Sequence, residues 1–168
     1  MGTTYYFLPT RNLFGEGAVK EVGALMDSLG GKKAMIVTDA FLAKSGMATS
    51  IQEILASDGV ASVIFDGAEP NPTDRNVESG LAVFQENHCD SIISLGGGSS
   101  HDCAKGIGLV ASNGGNIRDY EGIDKSHNPM CPMIAINTTA GTASEITRFC
   151  IITDTSRHVK MAIVDWRV

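Results

Sequence analysis

The run LGGGSSHD at positions 95–102 constrains the fold more than any other feature of this sequence. It follows the apolar run Ser91–Leu95, which is typical of a buried strand, and it precedes a helical pattern from about Ser100 to Ala111. Glycines permit positive φ and let a ligand approach the backbone closely. A helix start adds unpaired N–H groups and a positive dipole end, which suit a diphosphate. The alternative is a tight turn that binds nothing.

Two familiar phosphate loops do not fit this run. The dinucleotide fingerprint GxGxxG would need glycine at position 101, where His101 stands, and a GxxxxGK[ST] loop is absent. The glycine loop therefore predicts a phosphate site of another kind.

Short β-type runs alternate with helical patterns along the chain, and this alternation predicts an α/β fold with a mostly parallel sheet and flanking helices. The glycines at 30–31, 59 and 114–115 close three of the helices. The predicted strands lie at 34–38, 63–65, 91–95 and 133–136, the helices at 18–29, 47–55, 71–84 and 100–111, a β pair at 149–152 and 161–164, and two short edge strands at 5–8 and 12–15.

Two further polar segments follow predicted strands. Asp39 could accept hydrogen bonds from ribose hydroxyls and repel a 2′-phosphate, or it could cap the next helix. The run NTTAGTASE at 137–145 could donate to phosphate or ribose, or it could be a helix cap that Glu145 completes as a capping box. Three such loops at the carboxyl ends of strands favour a nucleotide cleft at one sheet edge.

Composition excludes several classes of protein. The 168 residues are 43% hydrophobic and 19% charged with a net charge of −6, which is ordinary for one globular domain over 1–168 and disfavours nucleic-acid binding. No apolar run approaches the length of a membrane span, and the N-terminus does not resemble a secretory signal. The four scattered cysteines lack a CxxC pair, so we expect buried thiols and a cytoplasmic location.

Four motifs carry a resemblance to a known family. They are Asn71-Pro72-Thr73, GGGSSHD at 96–102, NTTAGTASE at 137–145 and ITDTSRHVKMAIVD at 152–165. In this order and spacing they resemble the iron-containing (group III) alcohol dehydrogenases over essentially the whole chain. Within that family the pattern is most similar to 1,3-propanediol dehydrogenase, lactaldehyde reductase and bacterial methanol dehydrogenase.

The resemblance implies a Rossmann-like NAD-binding domain that is followed, in complete enzymes, by a helical domain. It implies that Asp39 contacts the adenosine ribose and that Asn71 lies near the cofactor. Phe149 could instead be ordinary core, and Lys160 an ordinary surface lysine. The implied cofactor-binding residues are Asp39, Asn71, Gly97, Gly98, Ser99, Asp102, Thr138, Thr139, Thr142, Thr147, Phe149 and Lys160.

The resemblance implies that Fe²⁺ is bound through residues of the helical domain, and we expect that domain to lie outside these 168 residues. The four histidines show no HxxxH or HxH spacing, so we assign no metal ligand and no catalytic residue within the chain. Val168 follows no turn or polar tail, which favours a chain that stops within a larger structure.

The resulting hypothesis is the NAD-binding part of an alcohol dehydrogenase for primary alcohols, diols or the corresponding aldehydes, without turnover by this chain alone. The alternative is a stand-alone NAD-binding or assembly module. We expect NAD and a small alcohol or aldehyde as partners, no nucleic acid, no membrane, and a possible homo-oligomer.

Overall fold

Four of the predicted apolar runs form one parallel sheet in the computed structural model, which describes residues 10–168. The order of its strands is β2-β1-β3-β5. A second sheet holds β6 and β7 as an antiparallel pair, with β4 parallel to β7. The strands are β1 (Lys33–Val37), β2 (Ala61–Phe65), β3 (Ser91–Gly96), β4 (Gly122–Ile123), β5 (Met133–Asn137), β6 (Phe149–Asp154) and β7 (Val159–Val164).

Five α-helices precede or connect these strands in the described part of the chain. They are α1 (Val22–Ser28), α2 (Ala40–Lys44), α3 (Met47–Ser57), α4 (Asp74–Glu86) and α5 (Gly98–Asn113). Short 3₁₀ helices lie at Ala18–Glu21, Ile117–Tyr120 and Ser144–Ile146. None of these helices combines the length and apolar character that a membrane span requires.

The parallel sheet separates two hydrophobic cores, as the two-residue period of a strand requires. Ala34 and Ile36 of β1 pack with the residues of α1 and α3 on one face. Met35 and Val37 pack with the residues of α4 and α5 on the other face. Helices on both faces of a parallel sheet make this a Rossmann-like α/β fold, which confirms the predicted fold class.

Most predicted elements are confirmed, with differences at several positions. Helix α4 begins at Asp74, three residues after the predicted start, and the first turn of the helix predicted at 18–29 is 3₁₀. The segment 12–15 contains no strand, so the prediction of an edge strand there is wrong, and its proposed partner at 5–8 lies outside the described residues. The five-residue helix α2 and the two-residue strand β4 were not predicted, because elements so short contain no full hydrophobic period. Helix α5 begins at Gly98, two residues before the predicted start.

The β6–β7 hairpin is tied to α4 by buried carboxylates. Asp74, at the start of α4, is 1% exposed and pairs with Arg118. Asp154, at the end of β6, is 0% exposed and accepts hydrogen bonds from Ser156 Oγ at 2.6 Å and Arg157 Nε at 2.5 Å. Arg118 Nε also lies 3.3 Å from Asp154 Oδ1, so one guanidinium bridges both carboxylates.

These contacts lower the pKa of both carboxyl groups. The Ser156 hydroxyl has the largest effect on Asp154 and, with Arg157, outweighs burial, which acts in the opposite direction. Burial also raises the pKa of Asp74, but hydrogen bonds from Thr155 and Arg118 outweigh it. Carboxyl groups with pKa values below the unfolded value stabilise the fold above that value, and they lose this contribution as pH falls.

We therefore expect the free energy of unfolding to fall steeply as pH drops below about 4, the ordinary range of aspartate. Asp154→Asn should lower stability at pH 7 and flatten this acid limb. Urea titrations at several pH values measure both effects. The control is Asp66→Asn at an exposed position, which should leave the stability at pH 7 nearly unchanged. An acid limb that Asp154→Asn does not flatten would contradict the assignment.

Candidate functional site

The chain reverses its direction of travel across the parallel sheet between β1 and β3. From β1 it runs outward to β2, and then it returns to form β3 on the opposite side of β1. Ligands of open α/β sheets bind outside the carboxyl ends of strands at such a switch point. Asp39 follows β1 there, and the glycine loop Gly96–Gly98 follows β3, so the topology brings these two predicted segments to one edge.

The glycine loop turns directly from β3 into α5. Gly96 has φ +147°, and a Cβ at this position would lie 2.3 Å from Ser100 Oγ, so only glycine fits without a shift. Gly97 precedes the helix, and no side chain of residues 10–168 caps α5 there. The N–H groups of the first turn therefore stay available, and they point out of the positive end of a 16-residue helix.

A cleft of about 220 Å³ opens at the start of α5. Six of the twelve predicted cofactor residues contribute to its wall. They are Asn71, Gly98, Ser99, Asp102, Thr142 and Lys160. The sequence did not indicate the other three lining residues, Pro72, Ile151 and Thr153. The period of two along β6 would place the last two on one face, but nothing in the sequence pairs β6 with the glycine loop.

The threonine-rich loop after β5 lies directly against the glycine loop. Thr138 N donates to Gly96 O at 2.9 Å. A Cβ on Gly97 would lie 2.7 Å from Thr139 Oγ1, and a Cβ on Gly98 would lie 2.5 Å from Thr142 Oγ1. Gly97, Thr138 and Thr139 thus adjoin the cleft without lining it. The alternative of a Glu145 capping box is wrong, because Ala143 precedes the short 3₁₀ helix without a side-chain cap.

Residues from distant parts of the sequence meet at the mouth of the cleft. Asn71 takes a left-handed backbone conformation, with φ 56°, which asparagine tolerates better than most residues. Its N–H donates to Ser99 Oγ at 3.4 Å, and its Oδ1 accepts from Lys160 Nζ at 2.6 Å. Lys160 is exposed, as the surface alternative predicted, but it is directed at the cleft by this bond. Its ammonium and the α5 dipole both favour an anion here.

Asp102 is the acidic group of the cleft wall. Its Oδ1 accepts a hydrogen bond from Ser144 Oγ at 2.6 Å, which ties α5 to the 3₁₀ helix Ser144–Ile146. Burial raises the pKa of the Asp102 carboxyl above its ordinary value, although the Ser144 hydroxyl opposes this shift. An ionised carboxylate accepts hydrogen bonds and repels phosphate, so Asp102 suits a donor group of a ligand and not its diphosphate.

Asp39 follows β1 at the predicted sheet edge, and it also caps the next helix, which was the alternative prediction for this residue. Its Oδ1 accepts from Leu42 N at 2.9 Å, so Asp39 is the N-cap of α2. It pairs with Gly67 in an isolated β-bridge, at the end of β2. Asp39 does not line the cleft and lies further along the same sheet edge.

Thr147 and Phe149 also lie outside the cleft wall. Both present their carbonyl oxygens to Lys105 Nζ, at 2.5 Å and 2.9 Å. The Phe149 side chain is 48% exposed, so the alternative of an ordinary core residue is wrong. Six of the twelve predicted residues therefore line the cleft and six do not, and the role of all twelve in binding stays a prediction.

The described residues offer no metal centre. Within 10–168, no three side chains of histidine, cysteine, aspartate or glutamate are grouped so that they could hold a metal ion. His101 is fully buried, and its ring nitrogens bond to Ser94 Oγ at 2.6 Å and Asn137 Oδ1 at 2.5 Å. Burial lowers the pKa of its imidazole. Both nitrogens are engaged with protein partners.

Comparison with known proteins identifies the family. The family described as iron-containing alcohol dehydrogenase matches residues 9–168. Alcohol dehydrogenase 4 of Schizosaccharomyces pombe is 50% identical over 165 residues, which are 98% of this chain and 39% of that protein. The NAD-dependent methanol dehydrogenase of Bacillus methanolicus is 47% identical over 165 residues, which are 98% of this chain and 43% of that protein. The chain thus spans about two fifths of these relatives.

A solved structure shows the same architecture. A 1,3-propanediol oxidoreductase superposes with a TM-score of 0.94 at 49% identity, and the match covers 99% of this chain and 44% of that one. The methanol dehydrogenase and this oxidoreductase represent two of the groups to which the sequence motifs were most similar.

The close approach of Thr142 to Gly98 yields a prediction about coupling. Gly98→Ala would normally stabilise a helix, but here its Cβ collides with Thr142 and should cost about 1–3 kcal/mol of unfolding free energy. Combining Gly98→Ala with Thr142→Ala removes the colliding atoms, so we expect a coupling energy of about 1 kcal/mol in a double-mutant cycle measured in urea.

The control for this cycle is Gly141→Ala in the same threonine-rich loop. A Cβ there meets nothing within 4 Å, and the change should be nearly neutral. Additive effects of Gly98→Ala and Thr142→Ala would show that the two loops do not touch as described.

Proposed function

We propose an NAD-binding function from one premise: the chain belongs to the iron-containing alcohol dehydrogenases. In this proposal the chain supplies the cofactor half of an enzyme that oxidises primary alcohols or diols, or reduces the corresponding aldehydes, with NAD. The relatives include a protein named as an NAD-dependent methanol dehydrogenase. Since the chain spans about two fifths of its relatives, the reaction of the whole enzyme is part of the proposal.

The uncapped start of α5 beside Lys160 is the observation that carries the proposal. Free N–H groups, a helix dipole and an ammonium group are directed to one cleft, and this combination suits an anion. A Cβ on Gly97 or Gly98 would collide with Thr139 or Thr142, so the two glycines let the threonine-rich loop lie directly against this helix start. The residues of the loop therefore fit the cofactor's diphosphate.

The cleft is smaller than a complete binding site for a dinucleotide. Its volume of about 220 Å³ is below the usual 300–1,000 Å³ of ligand pockets, so we assign it to the diphosphate and adjoining ribose. The adenosine would extend along the sheet edge to Asp39, whose second carboxylate oxygen could accept from the ribose hydroxyls. The nicotinamide would lie toward Thr147, Phe149 and Lys160. Asp102 and the hydroxyls of Thr138, Thr139 and Thr142 would bond to donors and acceptors between the two ends.

The residues present do not fit iron. Because the described residues hold no group of three ligands, we derive no step through Fe²⁺ within this chain. NAD, when bound, accepts a hydride from the alcohol carbon, and the task of this chain is to hold and orient it. The cytoplasmic location and assembly into homo-oligomers stay predictions.

Cofactor preference tests the placement of Asp39. We expect the chain to prefer NAD over NADP, because the Asp39 carboxylate bonds to the ribose and repels a 2′-phosphate; each charged hydrogen bond is worth about 1.5–3 kcal/mol. Asp39→Asn keeps the N-cap of α2 but removes the charge, so it should narrow the preference without unfolding α2. Calorimetric titration with both cofactors measures this. Equal affinity for NAD and NADP in the unmodified chain would contradict the assignment.

An activity assay tests the proposal that this chain binds NAD but does not hold the catalytic metal. The chain should bind NAD and form no NADH from ethanol, 1,2-propanediol or 1,3-propanediol in anaerobic buffer with ferrous ion. Absorbance of NADH follows the reaction, and a chelator provides the control. Formation of NADH by the homogeneous chain that the chelator abolishes would refute the proposal that the metal ligands lie elsewhere. Binding of neither NAD nor NADP would instead favour an assembly role.

A further inference from the structure

Lys105 is a buried lysine that does not line the cleft. It lies on the second turn of α5 and is 4% exposed. Its ammonium donates to three backbone carbonyls, those of Ser144 at 2.6 Å, Thr147 at 2.5 Å and Phe149 at 2.9 Å. A lysine ammonium has three donors, so all of them are used within one short segment, residues 144–149.

Because burying an ammonium group is costly, the three hydrogen bonds of Lys105 are needed to keep it inside the protein. A buried charge without partners is strongly unfavourable, and three carbonyl oxygens compensate it here. The carboxyl groups of Asp102 on α5 and Glu145 on the 3₁₀ helix supply negative charge nearby. A methionine of similar length would pack in the same space but would leave the three carbonyls without this donor.

Asp102 holds the same segment from the same helix. Residues 102 and 105 lie on one face of α5, at spacing i, i+3. Ser144 bonds to both of them, through its hydroxyl to Asp102 and through its carbonyl to Lys105. Two residues before Ser144 stands Thr142, whose side chain lies against Gly98 and whose Oγ1 accepts from Ser144 N at 3.3 Å.

We propose that Lys105 is a positioning residue for the dinucleotide site, acting through the carbonyls of Ser144, Thr147 and Phe149. Together with Asp102 it fixes the distance between residues 142–149 and the start of α5, and this distance determines the width of the cleft. The proposal rests on the NAD-binding function argued above. It adds a residue that touches neither the cleft nor the cofactor.

The test compares NAD affinity in Lys105→Met with that in the unmodified chain. We expect the dissociation constant for NAD, measured by calorimetry at pH 7, to rise about 10-fold to 100-fold, because a displaced cleft wall loses one or two hydrogen bonds to the ligand, each worth about 1–3 kcal/mol. Gly108→Ala is the matched control. Gly108 lies on the same helix as Lys105, and the added Cβ would press on Met130 and destabilise the fold without contact to residues 144–149. NAD affinity should therefore change less than about twofold.

The pH profile separates positioning from general stability. Burial lowers the pKa of the Lys105 ammonium, and Cys150 on β6, Asp102 and Glu145 oppose that shift. Affinity that depends on the protonated ammonium is full below this pKa and is lost as pH rises through it, below the ordinary lysine value of about 10.4. The neighbouring thiols do not interfere, because burial raises the pKa of Cys103 to about 12 and that of Cys150 well above its ordinary value. Two more titratable neighbours stand on α5: burial lowers the pKa of His101, away from the alkaline range, and raises the pKa of Asp102. Both residues are unchanged in Lys105→Met.

We expect the unmodified chain to lose more NAD affinity at alkaline pH than Lys105→Met does. The two proteins share every other group of the cleft, so the difference between their pH profiles reports on Lys105. If Lys105→Met does not fold, Lys105→Gln retains two N–H donors and should show an intermediate loss of affinity. If Lys105→Met has a dissociation constant within about twofold of the unmodified value, or the same alkaline loss of affinity, the inference about Lys105 is overturned. The proposed NAD-binding function is not affected by that result. No NAD binding by the unmodified chain would overturn the proposed function as well.

Discussion

Helix α5 is buried around nearly its whole circumference, and the geometry of the site depends on that burial. The parallel sheet covers one side of the helix and the β6–β7 hairpin covers another, while α4 packs alongside. Close packing requires small residues: a Cβ on Gly106 would lie 2.9 Å from Val77 Cγ2, and one on Gly108 would lie 2.7 Å from Met130 Sδ. The helix therefore cannot shift along its axis, and its uncapped first turn has a fixed position in the cleft.

Burial of α5 also forces its polar side chains to find partners inside the protein. His101 bonds to Ser94 on β3 and to Asn137 at the end of β5, and Lys105 bonds to carbonyls of residues 144–149. Each unpaired polar group here would cost about 1–3 kcal/mol. The hydrogen bonds of these buried side chains therefore connect β3, the end of β5 and the segment 144–149 to one rigid helix. The polar contacts that stabilise the core are the contacts that shape the site.

Sequence reasoning predicts what depends on local pattern. The apolar runs of β1 and β3 are continuous because both faces of these inner strands are buried, so the sequence predicts them directly. The edge strand β5 is only half-buried, but its run is apolar as well. The burial of Lys105 was not predictable, since a lysine in a helical pattern ordinarily lies in solvent. The cleft wall depends on contacts such as that between Asn71 and Lys160, 89 residues apart in sequence. Only the pairing of β6 and β7 and their packing on α5 produce such contacts.

Asp39 shows why two interpretations of one residue need not compete. From the sequence, a helix cap and a ribose ligand are alternatives for this side chain. A carboxylate has two oxygens and about four acceptor sites, and the N–H of Leu42 occupies one of them through Oδ1. The cap fixes the side-chain rotamer at the carboxyl end of β1, so the remaining oxygen is oriented before any ligand arrives. A side chain that is already immobilised loses little entropy when it binds, which means that the structural role strengthens the proposed binding role.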